Sequence, residues 1–320
     1  MNSKTRFLKA LNHEKPDRVP FNFWMDRPVM QEYEKKVGHR HWRVTHFEAD
    51  VIETFSHVSF TKDAATDDPY HQGINLEDWS KADEIVMPDP NDDKVYSTIK
   101  TDLDEFPEHA VILDMITPWG YIAGMRGYEQ VYMDMYDVPE EFLKLSRRLT
   151  DMLKVVVDRA CKMGITALYL MEDLADRNGL SIAPNMINEF CLQYAKELAD
   201  VAKANGVPVM FHSDGNVGDL LEHLIAIGVS AVNPMQPHLN DAVEFKKKFG
   251  DKLAVYGGLD NCYIIPNESA EKVREHVLDV FEKIGKPDGA LIFSTHDIPV
   301  GTPEENLEMM VKTIKEECVY

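Results

Sequence analysis

The stretch VMFHSDGNV, residues 209–217, starts with apolar side chains and then sets His212 and Asp214 two residues apart, just ahead of a glycine. On an extended chain, residues two apart project to the same side, so an imidazole and a carboxylate face one point. Such a pair can ligate a divalent ion or move a proton. Asp214 could equally cap a helix starting near Asn216, and an isolated histidine in this setting is commonly a hydrogen-bonded core residue. A second imidazole, His296 in FSTHDIPVGTPEEN, also follows an apolar run. Two imidazoles and a carboxylate with room for water or substrate describe an open site for zinc or a similar divalent ion. Glu172 is a candidate fourth ligand. No HExxH-type motif is present.

Other chemistry-bearing residues share this placement. Asp114, the Glu172-Asp173 pair, Asn233, Gln236, Asp260 and the His296-Asp297 pair all stand at or just beyond the ends of apolar runs. The turn YGGLDN at 256–261 puts two glycines where backbones approach closely, but it has neither phosphate-loop spacing. The Tyr-, Trp- and Met-rich segment 119–136 contains Gly120, Gly124 and Gly127, which break a helical stripe. It reads as core packing or as a flexible apolar lid over a ligand.

The elements that must position these groups follow from hydrophobic period. Apolar runs AVILDM (110–115), TALYLMED (166–173), VPVMFHSD (207–214), SAVNPMQ (230–236), LAVYGGLD (253–260) and ALIFSTHD (290–297) read as buried strands. Helical patterns separate them at 139–163, 184–205, 216–228, 239–249, 269–285 and 303–317. Pro139 and Pro184 mark helix starts, and Gly164, Gly206, Gly228 and Gly250 mark helix ends. Thr302 with Glu305 has capping-box spacing. RVPFNFW (18–24), ADVIET (49–54) and HVSF (57–60) extend the set to about eight strands. Strands alternating with helices imply a parallel sheet. The expected fold is α/β, a (β/α)8 TIM barrel forming a single domain over 1–320, with an irregular excursion at 63–95. An open doubly wound sheet is the alternative. In a barrel, side chains from different strands converge at the C-terminal mouth, where the polar residues above would meet.

Composition narrows the function. A net charge of −21 opposes nucleic-acid binding, which needs cations on phosphates. No apolar run is long enough for a membrane span, and the first residues lack the apolar core of a secretory signal. The cysteines Cys161, Cys191, Cys262 and Cys318 form no CxxC unit and read as reduced thiols, so a cytoplasmic location is expected. A homodimer is among the assemblies open to it.

RFLKALNHEKPDRVPF, PVMFHSDGNVGDLLEHLIAIGVSAVNPMQP, YGGLDN and STHDIPVGTPEENLEMM together resemble the uroporphyrinogen decarboxylase superfamily, in order and over nearly the whole chain. The resemblance implies a (β/α)8 barrel and one of two activities: cofactor-free decarboxylation of uroporphyrinogen, or zinc-dependent methyl transfer involving a corrinoid-binding protein. The decarboxylases carry an arginine-rich RQAGRY-type stretch where this chain has FNFWMDRPVMQEY. The zinc methyltransferases carry His and two Cys ligands at positions that fall on His212, Asp214 and His296. Oxygen and nitrogen ligands donate less charge than thiolates, so such an ion would polarise an ether oxygen rather than keep a thiolate nucleophilic. The resemblance therefore implies a zinc-dependent, corrinoid-linked methyltransferase acting on a small methylated substrate, a methoxylated aromatic. Trp24 would hold the ring, and Asp114, Asn233, Gln236 and Asp260 would orient its polar groups. A decarboxylase and a non-catalytic ligand-binding barrel are the alternatives.

Overall fold

The computed structural model of the protein describes residues 1–60 and 74–320. Its strands are β1 (Val51–Phe55), β2 (Ala110–Ile116), β3 (Ala167–Met171), β4 (Ala175–Asp176), β5 (Gly179–Leu180), β6 (Val209–His212), β7 (Ala231–Asn233), β8 (Ala254–Gly258) and β9 (Leu291–Ser294). Seven of them form a parallel sheet in the order β1-β2-β3-β6-β7-β8-β9, while β4 and β5 make a small antiparallel hairpin. Helices separate most successive sheet strands, the longest being Pro139–Met163, with proline in its first turn and left-handed Gly164 at its end. A proline there gives up an N–H that has no intrahelical acceptor, and glycine takes the positive φ without a Cβ penalty.

The sheet curls on itself. Val51 of β1 and Ile292 of β9, on opposite edges, belong to one buried cluster with Ile112, Tyr169 and Met210 from strands between them. Period-two alternation sends Val111, Leu113 and Leu168 the other way, into the layer against the helices. Small side chains, Ala110, Ala167, Ala231, Ala254 and Ala290, lie at the strand starts on the concave face. They leave space into which Phe7 and Leu11 of helix Ser3–Leu11 insert, closing that end.

Residues 18–24, expected to form a strand, run extended without becoming one; Pro20 has no N–H for a ladder. They nevertheless link the two edges. Asp50 N donates to Phe21 O at 2.9 Å, Asn22 N donates to Phe293 O at 2.9 Å, and Phe293 N donates to Pro20 O at 2.9 Å. Asp50 anchors this segment: its buried carboxylate accepts from Arg6 Nη1 at 2.6 Å, Arg18 Nη1 at 2.7 Å and Phe21 N at 3.0 Å.

Other expectations are corrected. HVSF at 57–60 forms no strand. Of the excursion at 63–95, residues 63–73 lie outside the described residues, and the rest is irregular apart from short 3-10 turns at Trp79–Glu84 and Asp93–Tyr96. The segment 119–136 is helical after all. Helices Pro118–Arg126 and Tyr128–Asp137 meet at Gly127, and Trp119, Tyr121 and Met125 are buried in the core. Thr302 caps nothing, because its hydroxyl donates to Pro299 O and the last helix begins at Glu304. Among the described residues no helix is long and apolar enough to cross a membrane.

Candidate functional site

His212 ends β6 with its side chain on the concave face, beside Met171 of β3 and Asn233 of β7 in register. Asn233 is buried, and its Nδ2 donates to the carbonyl of Tyr256 at 2.8 Å. That bond fixes which way the amide points. Oδ1 is then left to accept from Tyr169 Oη at 2.5 Å and from His212 Nδ1 at 2.8 Å. The proton of a neutral His212 is thereby assigned to Nδ1, and Nε2 carries the lone pair.

This Nε2 faces two carboxylates: Asp173 Oδ1 at 3.5 Å and Asp214 Oδ1 at 3.7 Å. Three acceptors thus face one another at separations longer than a good hydrogen bond. Asp214 Oδ1 is buried without a hydrogen-bond partner among the described residues. His212, Asp173 and Asp214 can each offer one atom to a single ion, those atoms lying within 4.8 Å of one another. An orphaned buried carboxylate oxygen opposite an imidazole lone pair fits a divalent cation, and the donor set suits zinc or a similar ion.

His296 comes to the same place by another route. Its Nε2 lies 2.9 Å from Asp214 Oδ2, the oxygen turned away from His212, and the two imidazoles stand 6.4 Å apart at 27°. Burial works to lower the His296 imidazole, but the Asp214 carboxylate outweighs it and raises its basicity. Burial works to raise the Asp214 carboxyl, and the His296 hydrogen bond with the two nearby imidazoles holds it below its usual range. Asp214 caps no helix. Gly215 follows it at φ 87, where a Cβ would meet Asp176 O at 2.4 Å, so the β4–β5 hairpin closes directly over this turn.

Of the residues expected at the site, His212, Asp214 and His296 are brought together. Glu172 is not with them. It follows Met171, whose side chain faces the concave side, and is directed the other way, buried near Cys191. Neither of its buried carboxyl oxygens makes a well-formed hydrogen bond among the described residues, and burial pushes it up to about 8 against the pull of the Thr117 hydroxyl. Asp173 takes the place expected for Glu172. Alternation from Tyr169 through Met171 predicts this, since Asp173 continues the inward series.

The expected substrate contacts divide. Asn233 is fully engaged in orienting His212. Gln236 Oε1 accepts from Gly215 N at 2.8 Å and shapes the turn. Asp260 Oδ1 accepts from Cys262 N at 2.9 Å and Tyr263 N at 2.7 Å, holding a loop. Asp114 lies on the inward alternation of β2, and the Trp24 side chain lies beside Glu53. The Arg43 guanidinium lies over the Trp24 ring at 4.9 Å and donates to Glu53 Oε2 at 2.6 Å. Tyr256 Oη donates to Glu53 Oε1 at 3.3 Å. Glu53, Arg43, Tyr169 and Tyr256 were not expected; only the inward alternation of their strands marks the first and the last two.

Residues 57–317 match the family model described as uroporphyrinogen decarboxylase (URO-D). The chain belongs to this family. Members among the curated proteins include a uroporphyrinogen decarboxylase of Microcystis aeruginosa, 22% identical over 238 residues that cover 72% of this chain and 65% of that protein. One from Hordeum vulgare is 31% identical over 192 residues, covering 59% of this chain and 55% of that protein. The chain thus spans about half to two thirds of the length of these family members. Among solved structures, a methyltransferase from Methanosarcina mazei is similar over 99% of both chains with TM-score 0.71 and 14% identity. An endo-beta-1,4-xylanase from Gloeophyllum trabeum is similar over 93% of this chain and 96% of that one, with TM-score 0.55 and 10% identity. At those identities the likeness is one of fold.

Proposed function

We propose that this member of the family is a metal-dependent methyltransferase, moving a methyl group from a small methoxylated aromatic to a corrinoid carried by a partner protein. The reading takes residues 1–320 as one (β/α)8 barrel, with segment 20–22 in the place of the eighth strand and the site at the C-terminal mouth. The observation that carries it is the convergence of His212 Nε2 with Asp173 and Asp214 oxygens around the buried, unpartnered Asp214 Oδ1. The end-to-end fold likeness to a protein named as a methyltransferase is in keeping with it.

His212, Asp173 and Asp214 would hold the ion, with His296 at hand on the far oxygen of Asp214. A divalent ion bound there supplies Lewis acidity to the substrate oxygen. The chain's own residues do the rest. Asn233 keeps the His212 lone pair turned to the ion, as outer hydrogen bonds to ligating histidines do. His296 fixes the Asp214 carboxylate, and Trp24, stiffened by the Arg43 guanidinium on its face, forms an aromatic wall for the ring.

The test is metal content. Protein purified without added metal is expected to hold zinc or a similar ion near stoichiometry, and His212→Ala and Asp214→Ala are expected to lose it. Absence of metal from the wild type, with no uptake of added zinc, would overturn the reading. A second reading, decarboxylation, is favoured by the names of the curated family members. A substrate bearing many carboxylates needs free cations, whereas Arg43, the guanidinium of the inner network, is already held by Glu53. Coproporphyrinogen formation by the purified protein, lost in His212→Ala, would establish it instead.

A further inference from the structure

Asp114 sits near the end of β2 on the alternation Ala110, Ile112, Asp114, which faces the concave side. Ile112, the inward residue before Asp114 on β2, and the Tyr169 and Tyr256 side chains are completely buried. Asp114 and its register partner on β1, Phe55, keep part of their surface open, as do Met171 and His212 one inward position further along β3 and β6, so Asp114 borders a space. Its Oδ1 is closed off and has no hydrogen-bond partner among the described residues. The Arg43 guanidinium, whose charge acts on Asp114, is already engaged: it donates to Glu53 Oε2 and to Phe23 O at 3.1 Å. Glu53, on the same face of neighbouring β1, also accepts from Tyr256 Oη.

Two carboxyls and one guanidinium leave one negative charge too many for a buried pocket. Burial first, then the Glu53 carboxylate, push Asp114 well above the usual carboxylate range against the pull of Arg43. The other titratable groups facing this space are the Tyr169 and Tyr256 phenols and His212, whose Nδ1 proton is taken by Asn233.

We propose that Asp114 is a neutral carboxylic acid whose O–H donates to an uncharged substrate oxygen, so that the inner end of the site selects a hydroxyl, ether or carbonyl over a carboxylate. An anionic group there would meet Glu53 without a free cation among the described residues, and a buried donor left unpaired penalises ligands lacking an acceptor. The proposal rests on the methyltransferase reading only for the aromatic probes.

The experiment measures binding of 2-methoxyphenol, 2-methoxybenzoate and phenyltrimethylammonium to the metal-loaded wild type, Asp114→Asn and Asp114→Leu. The phenol should bind most tightly. Asp114→Asn, which keeps a donor, should change its affinity little, and Asp114→Leu should weaken it about tenfold or more. Wild-type binding should weaken as pH rises through ionisation of Asp114, whereas Asp114→Asn stays flat. Infrared difference spectra of the ligand-free protein should show a carboxylic-acid C=O band that Asp114→Asn removes. A missing band, tighter binding of the benzoate or the ammonium, or an unchanged affinity in Asp114→Leu overturns the proposal while leaving metal binding at His212 untouched. Loss of metal uptake with the band and phenol selectivity intact would instead sink the methyltransferase reading alone.

Discussion

Asn233 Oδ1 lies 2.8 Å from His212 Nδ1, and the same amide is held from behind by the Tyr256 carbonyl. The contact decides the chemistry of His212, because it leaves the outward nitrogen as an acceptor in front of two carboxylates. Asn233→Leu removes that control. Metal affinity, read by chelator competition, should fall about 10–100-fold, as for other outer-sphere partners of ligating histidines. Unchanged affinity would mean that Asn233 does not govern the tautomer.

Asp173 and Glu172 are neighbours in sequence with opposite assignments. Asp173→Asn should weaken metal binding by about tenfold or more, since it removes a charged oxygen from the converging set. Glu172→Gln should leave it unaltered. The reverse result would place the ligand one residue earlier.

Glu172 should also shape the dependence of stability on pH. Its carboxyl is raised by burial from 4.5 to about 8 in the folded protein. Between those values the folded state keeps a proton that the unfolded state has released, so stability falls as pH rises through this window and levels off above it. Glu172→Gln removes that slope. In denaturant unfolding, the variant should gain on the wild type progressively from about pH 5 to pH 8, by an amount on the order of a few kcal/mol. A constant difference across the range would exclude a protonated Glu172.

Asp50 binds Arg6, Arg18 and the backbone of Phe21 at once, and its side chain is fully buried. Asp50→Ala leaves the largely buried Arg18 guanidinium without its carboxylate and Arg6 with Asp17 alone. A loss of about 3–5 kcal/mol is expected in equilibrium unfolding. Because this anchor holds segment 18–24, Trp24 fluorescence should shift in the still-folded variant. A loss within about 0.5 kcal/mol, the range of ordinary surface changes, would show the anchor to be dispensable.

Much of the layout could be read from the chain. Helix 139–163 was expected to its ends because proline and glycine bracket a clear 3.6-residue period. The buried strands around Asp114, His212 and His296 were expected because β-branched and apolar runs shielded on both faces have no other home. The segment 18–24 was harder to read: its ladder is broken by Pro20, and its role as a link depends on Asp50, 32 residues from Arg18 in sequence.

What the sequence determined by itself is a succession of strands and helices that delivers His212 and Asp214 to one side of a strand end, with His296 at another. Local period and turn chemistry suffice for that, since they act within a few residues. The choice of Asp173 over Glu172 lies in the alternation of one strand, but only the tertiary structure decided that Asn233 turns the imidazole and that Arg43 is tied up by Glu53 beside Asp114. Those outcomes depend on which way neighbouring strands present alternate side chains and on which donor finds which acceptor across the curled sheet. Hydrogen-bond partners separated by 21 residues, as for His212 and Asn233, are chosen by register between strands and not by any pattern along one of them.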